Sequence, residues 1–129
     1  MSDYLGFLGI ARKAGKTETG EEAVASVAEL KKIRLVLTAS DSAERTKRRA
    51  QSLAELSNAP CIEVAETRGE LGNALGVRPC AVVGVSDMGI AAALVKKLSV
   101  YNEEAKKALQ SVEEKAERFE RRKKKKRLK

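Results

Sequence analysis

The chain has no histidine, and aromatic residues make up only 3% of its 129 residues. The absence of histidine removes the side chain that is most often used in acid–base catalysis. The scarcity of aromatics argues against the base-stacking platforms on which many proteins hold single-stranded nucleic acid. A hydrophobic content of 43% is nevertheless enough for a core, which must be aliphatic.

Long apolar runs are missing too, since no segment approaches the roughly 20 residues that a membrane helix needs. The N-terminus, with Asp3 and no extended apolar stretch, does not resemble a secretory signal. Cys61 and Cys80 lack metal-type spacing, and we expect them to be free thiols buried in strands, as in a reducing compartment. These absences predict a cytoplasmic protein with no membrane partner, metal or cofactor.

Candidate catalytic groups are few. Polar residues 40–42 (Ser-Asp-Ser) and 86–87 (Ser-Asp) follow predicted strands, as catalytic loops do, but Ser and Asp are also the preferred N-caps of helices. Gly15 and Gly20 flank a short strand without the Gly-Lys-Ser/Thr sequence of a phosphate-binding loop. We therefore predict that the chain is not an enzyme.

Hydrophobic periodicity predicts five helices alternating with four strands in the first part of the chain. The predicted helices cover residues 3–14, 19–32, 41–57, 67–75 and 87–98, and the predicted strands cover residues 16–18, 33–39, 61–65 and 81–85. Capping boxes are predicted at Thr19–Glu22, Asp41–Glu44 and Thr67–Glu70. This alternation favours an α/β fold in which helices cover both faces of a sheet.

The C-terminal segment differs in composition. Residues 102–129 hold 12 Lys or Arg against 6 Asp or Glu, and from Tyr101 onward there is no Gly or Pro. We predict a domain at residues 1–99 and a basic, helical tail at residues 100–129. Apolar residues recur in the tail at heptad spacing, but the stripe is short and rich in Ala, which predicts a monomer. Its apolar members are Leu98, Ala105, Leu109, Val112, Ala116 and Phe119, and the polar Asn102 occupies one further heptad position.

Two groups of residues are candidates for binding a polyanion. One group is the start of the second helix, at Thr19, Gly20, Glu21 and Glu22. Free amides there suit phosphate or guanine oxygens, and the carboxylates can accept hydrogen bonds from guanine. The alternative is a capped helix start with no binding role. Cations near this turn could hold RNA backbones, namely Arg12, Lys13, Lys16 and Arg34. The tail ends in seven cations that are either solvated or contact phosphates: Arg121, Arg122, Lys123, Lys124, Lys125, Lys126 and Arg127. On the third helix, Arg45, Lys47, Arg48 and Arg49 are interpreted as a solvated face.

Six motifs in order resemble the small ribosomal proteins of the L-seven-Ae and L-thirty family, and most closely its bacterial YlxQ-like members. They cover most of residues 3–98: LGIARKAGK (8–16), TGEEAV (19–24), LVLTASD (35–41), PCIEV (60–64), LGNALG (71–76) and AVVGV (81–85). The resemblance implies a three-layer α/β/α sandwich around a small mixed sheet, here followed by a long C-terminal helix. It also implies binding of kink-turn RNA, a duplex bent at a bulge beside sheared G·A pairs.

By the same resemblance, the turn at residues 19–22 would lie in the groove at the G·A pairs. A loop containing Val77, Arg78 and Pro79 would cover the extruded nucleotide. The chain differs from the kink-turn pattern at Glu21, where the family carries Asn, and at Ala25, where it carries Lys. We therefore predict an RNA-binding protein whose partner is structured RNA, with ribosomal RNA and the ribosome first among candidates. The alternative is a protein-interaction adaptor of the same fold, with a dimerising or docking tail.

Overall fold

The computed structural model describes residues 3–128, which form six helices and four strands. The helices are α1 (Asp3–Lys13), α2 (Glu21–Glu29), α3 (Glu44–Leu56), α4 (Arg68–Leu75), α5 (Met88–Leu98) and α6 (Glu103–Leu128). The strands are β1 (Thr17–Thr19), β2 (Leu35–Thr38), β3 (Cys61–Glu63) and β4 (Val82–Val85). The predicted alternation of helices and strands is confirmed.

The four strands form one mixed sheet in the order β1-β4-β2-β3. β4 runs antiparallel to both of its neighbours, and β2 and β3 are parallel. The small mixed sheet that the family resemblance implies is therefore confirmed.

Helices cover both faces of the sheet, because successive side chains of a strand point to opposite sides. In β2, Leu35 and Leu37 join the core formed with α1, α4, α5 and α6, whereas Val36 joins the core formed with α2 and α3. All four β2 side chains are buried, which explains why this strand has a continuous apolar sequence. The architecture is the predicted three-layer sandwich.

One of the three predicted capping boxes is present. Thr67 accepts from the backbone N–H of Glu70, and the Glu70 carboxylate accepts from the N–H of Thr67. The box at Thr19 is wrong, because Thr19 pairs with Val83 in the sheet and Gly20 caps α2 instead. The box at Asp41 is also wrong, since α3 begins only after Ala43 and has no side-chain cap.

Helix α6 lies along its own domain. The residues of the heptad stripe face the core, where Ala105 and Val112 are buried and Leu109, Ala116 and Phe119 are half-buried. The apolar stripe is therefore used within the chain, which leaves little of it for a coiled coil. The boundary at residue 99 stays a prediction, although the first half of α6 completes the core that earlier residues build.

The cysteines differ in part from expectation. Both are free, but both are half-buried, and Cys80 lies in the loop before β4 instead of in a strand. Across residues 3–128, no helix is long and apolar enough to cross a membrane.

Candidate nucleic-acid interface

The topology gives the molecule two distinct ends. The carboxyl ends of β1, β2 and β3 meet the start of β4 at one edge, which we call the Gly20 end. There the Gly20 N–H donates to Val82 O at 2.8 Å, and the Ala39 N–H donates to Ala81 O at 2.9 Å. The strand starts lie at the opposite edge, the Arg34 end, where the Arg34 N–H donates to Val85 O at 2.7 Å.

Both segments that would read RNA bases lie at the Gly20 end. The turn at residues 19–22 leaves β1 beside the start of β4, to which Gly20 is hydrogen-bonded. The loop with Val77, Arg78 and Pro79 leads into β4 and is tied to α4 by the Cys80 N–H, which donates to Arg68 O at 3.1 Å. Two segments that are far apart in the chain are thus brought to one edge of the sheet.

The start of α2 presents an open helix N-terminus. Gly20 has φ of 93°, a conformation that other residues rarely adopt, and it offers no side chain to cap the helix. The first-turn amides of α2 therefore donate to no capping side chain. Such amides, with the positive end of the helix dipole, favour an oxygen ligand.

An open cleft separates the start of α2 from α3. It is lined by Glu21, Glu22, Arg45, Thr46 and Arg49. The Nε atom of Arg49 lies 3.6 Å from the Oε2 atom of Glu21, in an exposed ion pair of the kind that contributes about 0–1 kcal/mol. Glu22 is exposed, and within residues 3–128 its carboxylate has no ion-pair partner. Glu22 is therefore the carboxylate of this turn that is free to accept from a ligand.

Arg45 and Arg49 line this cleft, although their charge pattern in the sequence favoured a solvated face. The signal that could have placed them there is their spacing of one helical turn on a helix that follows the central strand. Lys47, from the same predicted face, does not line the cleft. Its Nζ atom lies 2.9 Å from the Oε1 atom of Glu63, with which it forms an ion pair. The hydrogen bond to Glu63 raises the pKa of Lys47 above its ordinary value.

The loop over the proposed site is fixed by close packing on α4. A Cβ atom added at Gly72 would lie 2.5 Å from Arg78 O and 2.9 Å from the Cα atom of Pro79. The Val77 side chain packs on the core, whereas Arg78 and Pro79 are exposed. The glycine therefore lets the loop lie directly on the helix while Arg78 remains free to contact a ligand.

Contacts between loops also order the Gly20 end. The Arg68 N–H donates to Asp41 Oδ1 at 2.8 Å, and the Arg68 Nε atom lies 3.4 Å from Asp41 Oδ2. The backbone hydrogen bond from Arg68 is the main reason that the pKa of Asp41 is lowered. The buried Tyr4 hydroxyl donates to the Glu66 carboxylate, and burial, followed by this bond, raises the pKa of Tyr4.

The cations predicted to hold the RNA backbone lie elsewhere. Arg12 and Lys13 end α1 and line a groove with residues 73–76 of α4 and its C-cap. Lys16 precedes β1, and its backbone oxygen accepts from the Ser86 N–H at the Arg34 end. Arg34 lies five residue steps before Ala39 along an extended segment, a distance of about 16 Å. The structure therefore does not bring Lys16 and Arg34 together with the turn at residues 19–22.

Arg34 instead contacts α6. Its guanidinium carbon lies 4.8 Å from the centroid of the Phe119 ring, a favourable cation–π geometry. The cations at residues 121–127 follow directly, and all of them are exposed. Within residues 3–128, no group of three or more His, Cys, Asp or Glu could hold a metal ion.

Comparisons with known proteins agree with this architecture. No protein-family model matches the chain. The RNA-binding protein YlxQ of Enterococcus faecium is 31% identical over 87 residues, which are 67% of this chain and 82% of that protein. The RNA-binding protein YlxQ of Bacillus subtilis (strain 168) is 29% identical over 96 residues, which are 74% of this chain and 95% of that protein.

Two solved structures share the fold. A Bacillus halodurans protein described as having unknown function superimposes with a TM-score of 0.71 at 29% identity, covering 77% of this chain and 99% of that one. The Giardia lamblia 15.5kD RNA binding protein superimposes with a TM-score of 0.59 at 18% identity, covering 74% of this chain and 84% of that one. Because the chain is 31% identical to the Enterococcus faecium protein over 82% of that protein's length and shares the fold, it belongs to the YlxQ family of L-seven-Ae-like proteins.

Proposed function

We propose that the chain binds structured RNA at the Gly20 end. The observation that carries the proposal is the juxtaposition of the turn at residues 19–22 with the loop at residues 77–79, the two segments that the family resemblance assigns to RNA. The names of both YlxQ relatives, which describe RNA-binding proteins, support the same ligand. We propose no catalytic step.

Each group at this end has a definite role in the proposal. The free Glu22 carboxylate accepts hydrogen bonds from the amino and imino groups of a guanine edge. The first-turn amides of α2 donate to guanine or phosphate oxygens, and Gly20 lets the backbone approach closely. Arg45 lines the cleft and contacts the adjoining phosphates. Arg78 does the same on the loop side.

A bent RNA fits this end better than a straight duplex. The deep, narrow major groove of A-form RNA hides base edges from side chains, whereas bulges and sheared pairs expose them. The turn follows β1 and the loop leads into the neighbouring strand β4, so one exposed RNA element can contact both. We place ribosomal RNA first among the candidates, following the resemblance to small ribosomal proteins.

The decisive experiment compares Glu22→Gln with Glu29→Gln. Both carboxylates are exposed on α2, and each change removes one negative charge, but Glu29 ends the helix and lies toward the Arg34 end. We expect Glu22→Gln to weaken binding of a fluorescein-labelled hairpin with a bulge and tandem G·A pairs. The loss of one base-edge contact is worth about 1–3 kcal/mol, or roughly 5- to 150-fold. Glu29→Gln should bind as wild type or slightly better.

A straight hairpin of the same length completes the design. The ratio of affinities for bent over straight RNA should fall with Glu22→Gln and stay constant with Glu29→Gln. Each variant should change the free energy of unfolding by less than about 1 kcal/mol, because neither carboxylate caps its helix and only its interaction with the helix dipole is altered. Equal affinities of the two variants for the bent hairpin would show that Glu22 does not contact the base edge.

A further inference from the structure

Charge is distributed unequally between the two ends of the molecule. At the Gly20 end the two signs are mixed and partly paired, because Glu21, Asp41 and Glu63 form ion pairs with Arg49, Arg68 and Lys47. Cations dominate the Arg34 end, where Arg12, Lys13, Lys16, Lys31, Lys32 and Arg34 outnumber Glu29, Glu55 and Asp87. The surface that reads base edges is therefore not the surface that attracts phosphates most strongly.

Helix α6 connects the two ends and adds its cations to the basic one. At its start, the Asn102 Nδ2 atom donates to Glu63 O, at the end of β3, over 3.0 Å. Further along, the Lys115 ammonium donates to Asn58 O, and Phe119 lies under the Arg34 guanidinium. The helix thus runs from the Gly20 end to the Arg34 end, and residues 121–127 extend from the latter.

Phe119 holds this extension in place. The ring is half-buried against the core and stacks with Arg34, while Glu120 and Lys123 line a cavity with Ser86 and Asp87. Seven residues beyond this anchor span about 10 Å of helix, with cations on every face. Lys31 and Lys32 are exposed in the turn before β2, and the Arg34 guanidinium that stacks on Phe119 also donates to Lys31 O over 3.4 Å, so this turn and the end of α6 meet at the same side of the molecule.

The two ends are far enough apart to bind independently. From Asn102 to Phe119, α6 spans about 25 Å. Charges separated by more than about 8–10 Å of solvent are largely screened at physiological salt. The carboxylates of the Gly20 end therefore do not cancel the attraction of residues 121–127 for phosphate.

We propose that the Arg34 end, comprising Lys31, Lys32, Arg34 and the cations of residues 121–127, is a second RNA-binding surface. It takes the phosphate backbone of a helical RNA segment without regard to sequence, while the Gly20 end holds another segment. One molecule then bridges two RNA segments. The choice of RNA as the anion rests on the proposed function, and the location of the surface rests on the charges and on the course of α6.

Matched charge reversals on α6 test the location. Lys124→Glu with Lys125→Glu alters the tip, and Lys106→Glu with Lys107→Glu makes the same net change at exposed positions near the Gly20 end. Each pair lowers the formal charge of +8 by the same amount. We expect the tip variant to bind a straight RNA hairpin at least tenfold more weakly. The slope of the logarithm of its binding constant against the logarithm of the salt concentration should be shallower by about 2, because each lost phosphate contact reduces the slope by about 0.9. The control variant should change the affinity less than twofold.

A bridging measurement tests the second half of the proposal. A donor-labelled bent hairpin and an acceptor-labelled straight hairpin are mixed with one equivalent of full-length protein, and energy transfer reports a ternary complex. We expect transfer with wild type and with the Lys106/Lys107 variant, and its loss with the Lys124/Lys125 variant.

The outcomes separate this inference from the proposed function. If the Lys124/Lys125 variant still prefers the bent hairpin and gives the same energy transfer between the two hairpins as wild type, the second surface is refuted and the Gly20 site stands. If wild type binds bent and straight hairpins equally well, and only the Lys124/Lys125 variant loses binding of the straight hairpin, the second surface stands and the Gly20 site is refuted. Equal losses from both reversals would show an effect of net charge alone, and would overturn the second surface.

Discussion

Substitution of Gly72 by alanine tests whether α4 holds the loop at residues 77–79 in place. The new Cβ would lie 2.5 Å from Arg78 O and 2.9 Å from the Cα atom of Pro79, and both are backbone atoms that cannot rotate away. Either the loop or the helix must move. Overpacking of this kind typically costs about 1–3 kcal/mol.

Gly69→Ala in the same helix is the matched control. A Cβ at Gly69 has Thr67 Oγ1 at 3.9 Å as its nearest neighbour, an ordinary van der Waals contact. Replacing glycine by alanine stabilises a helix by up to about 1 kcal/mol, a gain that both variants share. The difference between the two variants therefore isolates the clash, and we expect Gly72→Ala to be less stable than Gly69→Ala by about 1–3 kcal/mol.

Urea unfolding followed by circular dichroism gives the comparison. With a slope of about 2 kcal/mol per molar urea, a difference of about 2 kcal/mol separates the midpoints by about 1 M. The same shift of the loop should reduce the preference for bent over straight RNA in Gly72→Ala only. Equal midpoints for the two variants would refute the reasoning, because they would mean that the loop yields without cost.

Three further predictions concern the core, the loop contact and the thiols. Val112→Ala should destabilise the protein by about 2 kcal/mol, from the lost methyl groups and the cavity, whereas Val100→Ala, at a position that is 77% exposed, should have almost no effect on the urea midpoint. The pKa of Asp41 is lowered from 3.8, so its charge stabilises the fold above that pH, and this contribution is lost as the pH falls through the folded-state value. Asp41→Asn should therefore be less stable than wild type at pH 6, and the difference should narrow as the pH falls below 3.8. Burial raises the pKa of Cys61 to about 12, so little of this thiol is ionised at pH 8. In a Cys80→Ser background, Cys61 of the folded protein should therefore react with a disulfide reagent at pH 8 on the order of a thousand times more slowly than in urea. A rate for the folded protein near that of the unfolded chain would contradict this.

The order of elements could be predicted from the sequence, because periodicity and helix caps are local properties. The three Thr/Asp-x-x-Glu patterns show where local sequence no longer predicts the structure. Thr67 is free to cap α4, whereas the backbone of Thr19 is held in the β1–β4 pairing. The Asp41 carboxylate accepts from the Arg68 N–H, a partner far along the chain that no local pattern reveals.

The candidate site was predicted in part. The residues of the turn at 19–22 themselves indicate a binding site, whereas the loop at residues 77–79 came from the family resemblance, and the topology brings both to one edge of the sheet. Arg34 was assigned to the same site because it follows α2 closely in the sequence, yet it precedes β2 and lies at the opposite edge. The order β1-β4-β2-β3 decides which strand ends are neighbours, and it depends on pairings between distant segments.

The course of α6 also bears on aggregation. β3 is an edge strand, and the outer side of such a strand offers unpaired backbone groups to other chains. Here α6 packs across β3, and the Asn102 amide donates to Glu63 O, so one of those groups is already bonded. The opposite edge, β1, is only three residues long and offers little to extend. A fragment that ends before α6 would therefore uncover both an apolar face and a free strand edge, and it should self-associate into β-structured aggregates where the full chain stays dispersed.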